Sequence, residues 1–166
     1  MRGYSKYYYN FAQPLDTLQL EEMLGNITYL EHAAVPVLKY SQYLDPAQTA
    51  STLQKLPRVR EYQLRRRGRA MGEEQRGEMQ VLMGALMGHL GDRFAQVLPD
   101  CTPKQVCQGL WGLGAARVPH QQAFAKAAQL IPTQLEAYSV GDLADVAWAF
   151  MAAHPTDQVR GACAYA

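Results

Sequence analysis

Little in this chain points to covalent or metal chemistry. Three cysteines stand among 166 residues, Cys101, Cys107 and Cys163, and no two form a Cys-x-x-Cys pair. An odd, unpaired set argues against a disulfide framework or a zinc knuckle, and for a reducing compartment. The four histidines, His32, His89, His120 and His154, are scattered, without His-x-x-x-His or His-Glu-x-x-His spacing. No Gly-x-Ser-x-Gly, Walker or Gly-x-Gly-x-x-Gly pattern occurs. Met83-Gly-Ala-Leu-Met-Gly88 reads as helix packing rather than a phosphate loop. The expectation is a protein that is not an enzyme and takes no metal, cofactor or small-molecule substrate.

Other scarcities narrow the partners. No stretch has the roughly 18 uninterrupted apolar residues of a membrane span. The first ten residues lack the apolar core of a secretory signal. Only 19% of residues are charged and the net charge is +1, so any nucleic-acid binding must come from local charge. Strand-type alternation is nowhere convincing. Apolar residues make up 48%, enough to form the core of one domain.

What the chain does have is a repeat. Thr102-Pro-Lys-Gln-Val-Cys-Gln-Gly-Leu-Trp-Gly-Leu-Gly-Ala-Ala-Arg117 aligns without a gap on Ser139-Val-Gly-Asp-Leu-Ala-Asp-Val-Ala-Trp-Ala-Phe-Met-Ala-Ala-His154, 37 residues on. Trp111 falls on Trp148 and Leu113 on Phe150. A period in the range of about 20–50 residues marks stacked supersecondary units. Pro46, Gln48, Leu53 and Leu56 match Pro103, Gln105, Leu110 and Leu113 at an offset of 57, which is 20 beyond the period. An insertion of that size, Pro57 to about Gln80, is therefore expected between the two helices of the earlier unit.

The predicted fold is all-α, an α-solenoid of stacked helical hairpins with a period of about 37 residues. Residues 1–15 form an aromatic and basic arm, and 16–166 the helical-repeat domain. That domain divides into a divergent hairpin at 16–44, an interrupted hairpin at 45–100 with the arginine-rich insertion at 57–80, and repeats at 102–138 and 139–166. Leu20, Met23, Leu24 and Ile27 space a first helix. A second covers Glu31 to Leu44, started or kinked by Pro36. Asp45, Thr102 and Ser139 are the caps of later helices. Helix resumes over Met79 to Leu90 and Asp92 to Leu98, and a further helix covers Gln121 to about Leu130. The last unit is expected to stop inside its second helix, around Ala162–Ala166. Trp111 and Trp148 are expected in the core, and Gly109, Gly112, Gly114, Ala147 and Ala149 at close helix approaches.

The pattern Thr/Ser-Pro-x-x-Leu/Val-x-x-x-Leu-Trp-x-Leu/Phe-x-x-Ala is carried by Leu110-Trp-Gly-Leu-Gly-Ala-Ala116 and Ala147-Trp-Ala-Phe-Met-Ala-Ala153. It resembles the octotricopeptide and heptatricopeptide repeat families, and is similar to the helical repeats that precede RAP domains in FASTK-like proteins. The resemblance covers the last two units well and 45–100 loosely. It implies an organellar protein that binds RNA in mitochondria or, alternatively, chloroplasts. Some members are fixed subunits of divergent organellar ribosomes. A chain with so few repeats suits a subunit of a larger particle.

The residues that would touch RNA are basic and aromatic. Arg58, Arg60, Arg65, Arg66, Arg67 and Arg69 stand against the single acid Glu61 within twelve residues. Arginine forks match phosphate oxygens in a bidentate manner, and Tyr62 in the same run could stack on a base. In the arm, Arg2, Lys6 and Tyr7 interleave charge with aromatics, which suits single-stranded nucleic acid. Glu73, Glu74 and Glu78 could instead pair with the arginines. Lys104, Gln105, Gln108, Asp142 and Asp145 occupy the polar side of the repeat helices, where a base-reading repeat would vary. Taken with these residues, the resemblance implies a structural subunit of a mitochondrial ribosome, contacting rRNA and neighbouring proteins. The alternatives are a scaffold of another organellar complex, such as a respiratory complex, or a transcript-specific maturation or translation factor.

Overall fold

Helices form in this chain wherever apolar spacing and a capping pair coincide. The computed structural model describes residues 17–68 and 70–153. Among the described residues lie seven α-helices and no strand: α1 (Thr17–Gly25), α2 (Leu30–Leu38), α3 (Pro46–Arg67), α4 (Glu73–Val97), α5 (Pro103–Ala116), α6 (Gln121–Leu130) and α7 (Val140–Ala153). The all-α expectation holds. None of these helices is long and apolar enough to cross a membrane. The arm at 1–15, Arg69, and the expected helix near Ala162–Ala166 fall outside the described residues.

The starts of α3, α5 and α7 use one chemistry. Gln48 N–H donates to the Asp45 carboxylate at 2.7 Å, and Asp45 N–H donates to the Gln48 side chain at 3.2 Å. Thr102 and Gln105 repeat this box at 2.8 and 3.4 Å. In α7, Ser139 N–H donates to Asp142 Oδ2 at 3.0 Å and Asp142 N–H donates to Ser139 Oγ at 3.1 Å. Each box satisfies amides that the first helical turn leaves free. Hydrogen bonding from Ser139 also holds the Asp142 carboxyl below its ordinary range. Gln105 and Asp142 are thus engaged in capping, which removes them from the base-reading candidates.

These helices lie in two rows. α3 packs on α5 and α5 on α7, while α2 packs on α4 and α4 on α6. Between the rows Leu30, Leu53, Leu56, Leu90, Phe94, Leu110 and Leu113 are fully buried. Polar side chains tie helix ends across elements. Lys55 Nζ donates to the Leu24 and Gly25 carbonyls at 2.8 and 2.9 Å, closing the end of α1. Buried Gln63 accepts from Leu30 N–H at 3.2 Å and donates to the Glu31 carboxylate at 3.1 Å, holding the start of α2.

The insertion differs from expectation. Instead of interrupting the hairpin, it lengthens both of its helices. α3 runs through Pro57 to Arg67 and α4 begins at Glu73, giving 22 and 25 residues against 14 and 10 in α5 and α6. Proline normally disrupts a helix because it offers no N–H to the carbonyl four residues back. Here that carbonyl, of Leu53, faces Gly112 of α5. A Cβ added at Gly112 would lie 2.3 Å from it. The glycine lets two backbones meet, and its Cα–H lies against the carbonyl oxygen that Pro57 leaves without its helical donor. Helix α2 also ends early, at Leu38, with Pro36 inside it and a 3-10 turn at Ser41–Tyr43.

Gly112→Ala should therefore destabilise the protein by about 3 kcal/mol, since backbone must move to admit one methyl. Gly84→Ala, in the exposed interior of α4 with open space around it, should stabilise by about 1 kcal/mol through helix propensity. Urea unfolding of both variants checks the opposite signs.

Candidate nucleic-acid interface

The arginine run forms the distal half of α3, not a loop. At helical spacing Arg58, Tyr62, Arg65 and Arg66 share one exposed face. Arg65 pairs with Glu61 one turn back. Arg66 Nη1 donates to the Tyr62 hydroxyl at 3.0 Å, leaving the Tyr62 ring about half exposed. Arg60 and Arg67 point elsewhere. The Arg67 guanidinium lies 4.4 Å from the Tyr29 ring centroid. Arg60 Nε is buried without a hydrogen-bond partner among the described residues. Glu73, Glu74 and Glu78, on α4, make no ion pair with these arginines among the described residues. Arg69, Arg2, Lys6 and Tyr7 lie outside the described residues.

A simpler force accounts for part of this arrangement. Arg65, Arg66 and Arg67 occupy the last turn of α3, and Glu73 and Glu74 the first turn of α4. Each set opposes the partial charge of its helix end, an effect of about 0.3–1 kcal/mol per side chain. The Arg65–Glu61 pair is well exposed and adds little. This leaves the guanidinium groups solvated, with their charge available.

The tryptophans correct the expectation that both are core residues. Trp111 is half-buried and Trp148 is 41% exposed. They stack on each other, ring centroids 6.0 Å apart at 25°. The Arg58 guanidinium sits 5.0 Å from the Trp111 centroid, within cation–π range. On α5 the apolar residues Val106, Leu110 and Leu113 face inward, while Lys104, Gln108, Trp111 and Ala115 form the one open face. Trp148 occupies the matching face of α7. Because α5 is covered on most sides, its sequence carries no clean polar stripe to mark that face. Ala147 is exposed too, contrary to expectation, whereas Gly109, Gly112, Gly114 and Ala149 are at close approaches.

The ends of these helices enclose a groove of about 680 Å³, lined by Pro57, Arg58, Arg60, Trp111, Arg117 and Trp148 among others. No motif or charge run singles out Arg117. It closes α5 in the left-handed region, at φ 55° and ψ 41°. Its N–H donates to the Gly114 carbonyl and that of Val118 to the Leu113 carbonyl, a Schellman closure. Glycine usually takes this position, because a Cβ there costs about 1–2 kcal/mol. A non-glycine residue after a helix that ends Gly-Leu-Gly-Ala-Ala is the only clue available in the sequence.

The cysteines stand apart from this groove. Burial pushes the Cys101 thiol up to about 11, with Asp100 adding to it. Burial and the nearby Asp142 and Asp145 carboxylates push Cys107 up to about 12. Both are protonated at neutral pH, and neither is an activated nucleophile. Among the described residues no cluster of ligating side chains could hold a metal ion.

Two outcomes follow. Arg117→Gly should stabilise the fold by about 0.5–1 kcal/mol, as relief of the left-handed residue outweighs the extra freedom of the unfolded chain; thermal unfolding measures it. Native protein at pH 8 should leave Cys101 and Cys107 unmodified by iodoacetamide, since at a pKa of about 11 only about one thiol in a thousand is ionised. Both should label in denaturant, as read by peptide mass mapping. No protein-family model matches the chain and no curated protein matches it, so the functional reading rests on the arginine face and the groove.

Proposed function

We propose that this chain is an RNA-associated helical-repeat protein, a structural subunit of a mitochondrial ribosome that grips rRNA backbone. The observation that carries the reading is the distal half of α3, where Arg58, Arg60, Arg65, Arg66 and Arg67 stand against one carboxylate, Glu61. That half is the lengthened part of the hairpin, beyond what the matching hairpin α5–α6 contains. The architecture we infer is an α-solenoid with a 37-residue unit. Three capping boxes at Asp45, Thr102 and Ser139 support it, as do the two rows of helices. So does the resemblance of the Trp111 and Trp148 segments to the octotricopeptide and heptatricopeptide repeats. On this reading the protein is a scaffold and not a catalyst, and the organelle is the mitochondrion, with the chloroplast as the other host of such repeats.

One observation favours a protein contact beside the RNA contact. Val140, Ala144, Ala147 and Met151 line an exposed face of α7. The matching positions of α5, Cys107, Leu110 and Gly114, are buried, and α7 packs along α5. A neighbouring helix in the particle would seat there in the same way. Such a contact alone would make the chain a scaffold without an RNA role.

Crosslinking in the native organelle, followed by sequencing of the bound RNA, tests the proposal. Ribosomal RNA should be recovered, and less of it from a protein carrying Arg65→Ala, Arg66→Ala and Arg67→Ala. In vitro the triple variant should reduce the slope of log affinity against log salt by about 2, the share of three phosphate contacts. Recovery of one or a few messenger RNAs would instead identify a maturation factor. Recovery of no RNA above background would leave the scaffold reading.

A further inference from the structure

The groove between the middle of α3 and the C-terminal halves of α5 and α7 offers more than positive charge. Trp111 and Trp148 are stacked, and the Arg58 guanidinium covers Trp111, so Trp148 is the end of the stack. Trp148 is 41% exposed. A large exposed aromatic surface beside water is unfavourable unless something covers it. Arg60 and Arg117 line the same groove. Arg60 Nε is buried with no hydrogen-bond partner among the described residues. Glu61, the one carboxylate in the lining, is engaged by Arg65. Arg117 is held in a backbone conformation that disfavours any side chain, a kind of strain that collects at binding sites.

We infer that this groove binds one nucleotide of a single-stranded RNA, with the base stacked on Trp148 and the adjoining phosphate held by Arg60 and Arg117. This inference rests on the RNA-associated reading and assigns that reading a second, different contact. The face of α3 meets backbone charge and takes duplex or single strand alike. The groove requires an unpaired base, because a duplex hides base faces in its own stack. A flat ring beside forked guanidinium groups matches a base beside its phosphate, and base–aromatic stacking tolerates any sequence. The volume, about 680 Å³, is within the ~300–1,000 Å³ of clefts that hold small organic groups.

The chain contains two tryptophans, both at this groove, so intrinsic fluorescence reports on the site directly. The full chain would be titrated with a short single-stranded oligoribonucleotide, with the same sequence as a duplex, and with uridine monophosphate. The single strand should quench the fluorescence, and the duplex should bind without quenching. The mononucleotide should bind far more weakly than the strand. Trp148→Ala should weaken single-strand binding by about tenfold, the loss of one stacked base. Arg117→Gly should also weaken it by about tenfold, the loss of charged hydrogen bonds to phosphate, although its thermal midpoint rises. A purely structural role for Arg117 would not lower affinity in a protein that has become more stable. If the strand binds without quenching, or binds equally well to Arg117→Gly, the groove is not the site. In that case the α3 arginines carry the RNA and the ribosomal reading survives. Quenching by duplex as strong as by single strand, or equal affinity for the mononucleotide, would also overturn the inference. Failure to bind single strand or duplex at all would sink it together with the RNA reading.

Discussion

The close approach of α5 to its two row neighbours is the constraint on which the rest of the structure depends. Gly112 meets the backbone of α3 at Leu53, and Gly114 meets the backbone of α7 at Ala149, where an added Cβ would lie 2.3 and 2.9 Å from the neighbouring backbone. At such distances no large side chain fits between the axes. The bulky residues of α5 must therefore go either down, between the rows, or up, to the open face. Leu110 and Leu113 go down and are fully buried. Trp111 is left on the open face, beside the Trp148 that α7 places there. The same crossing lets α3 continue through Pro57, because Gly112 meets the carbonyl that the proline leaves free. One residue type at two positions thus sets the row, the helix length and the aromatic pair.

Much of this was legible in the sequence. The three caps, Asp45, Thr102 and Ser139, begin helices as their chemistry requires, and the stretch 57–80 read as an insertion falls on the distal half of α3 and the start of α4. A surplus placed between two helices does not announce that it extends both, and α3 instead runs on through Pro57 to Arg67. Nothing local to α3 reports that Gly112, 55 positions after Pro57, would meet the Leu53 carbonyl. The tryptophans were misread for a related reason. A helix covered by neighbours on most sides has no clean apolar stripe, so periodicity does not reveal which large residue faces water. Of the candidate RNA contacts, the arginines of α3 were found by composition. Arg117 could not be, since its place in the groove comes from a left-handed backbone and from helices that are distant in sequence.

Whether an anion is welcome in the groove depends on opposing charges. α5 and α7 run in the same direction, since Cys107 meets the Asp142 carbonyl and Gly114 meets Ala149 in step. Both therefore turn their C-terminal ends toward the groove, and each such end carries a partial charge of about −0.5. A bare arrangement of this kind would repel phosphate. Arg58, Arg60 and Arg117 bring three full positive charges to the same space, and the one carboxylate there, Glu61, is paired with Arg65. About one negative charge of helix ends against three guanidinium groups leaves an excess of about +2. That is more than the helix ends need for their own neutralisation, and it lies next to an aromatic surface left open to water. The excess is local, in a chain whose net charge is only +1. On the RNA-associated reading proposed above, local charge of this kind favours the encounter that presents α3 and the groove.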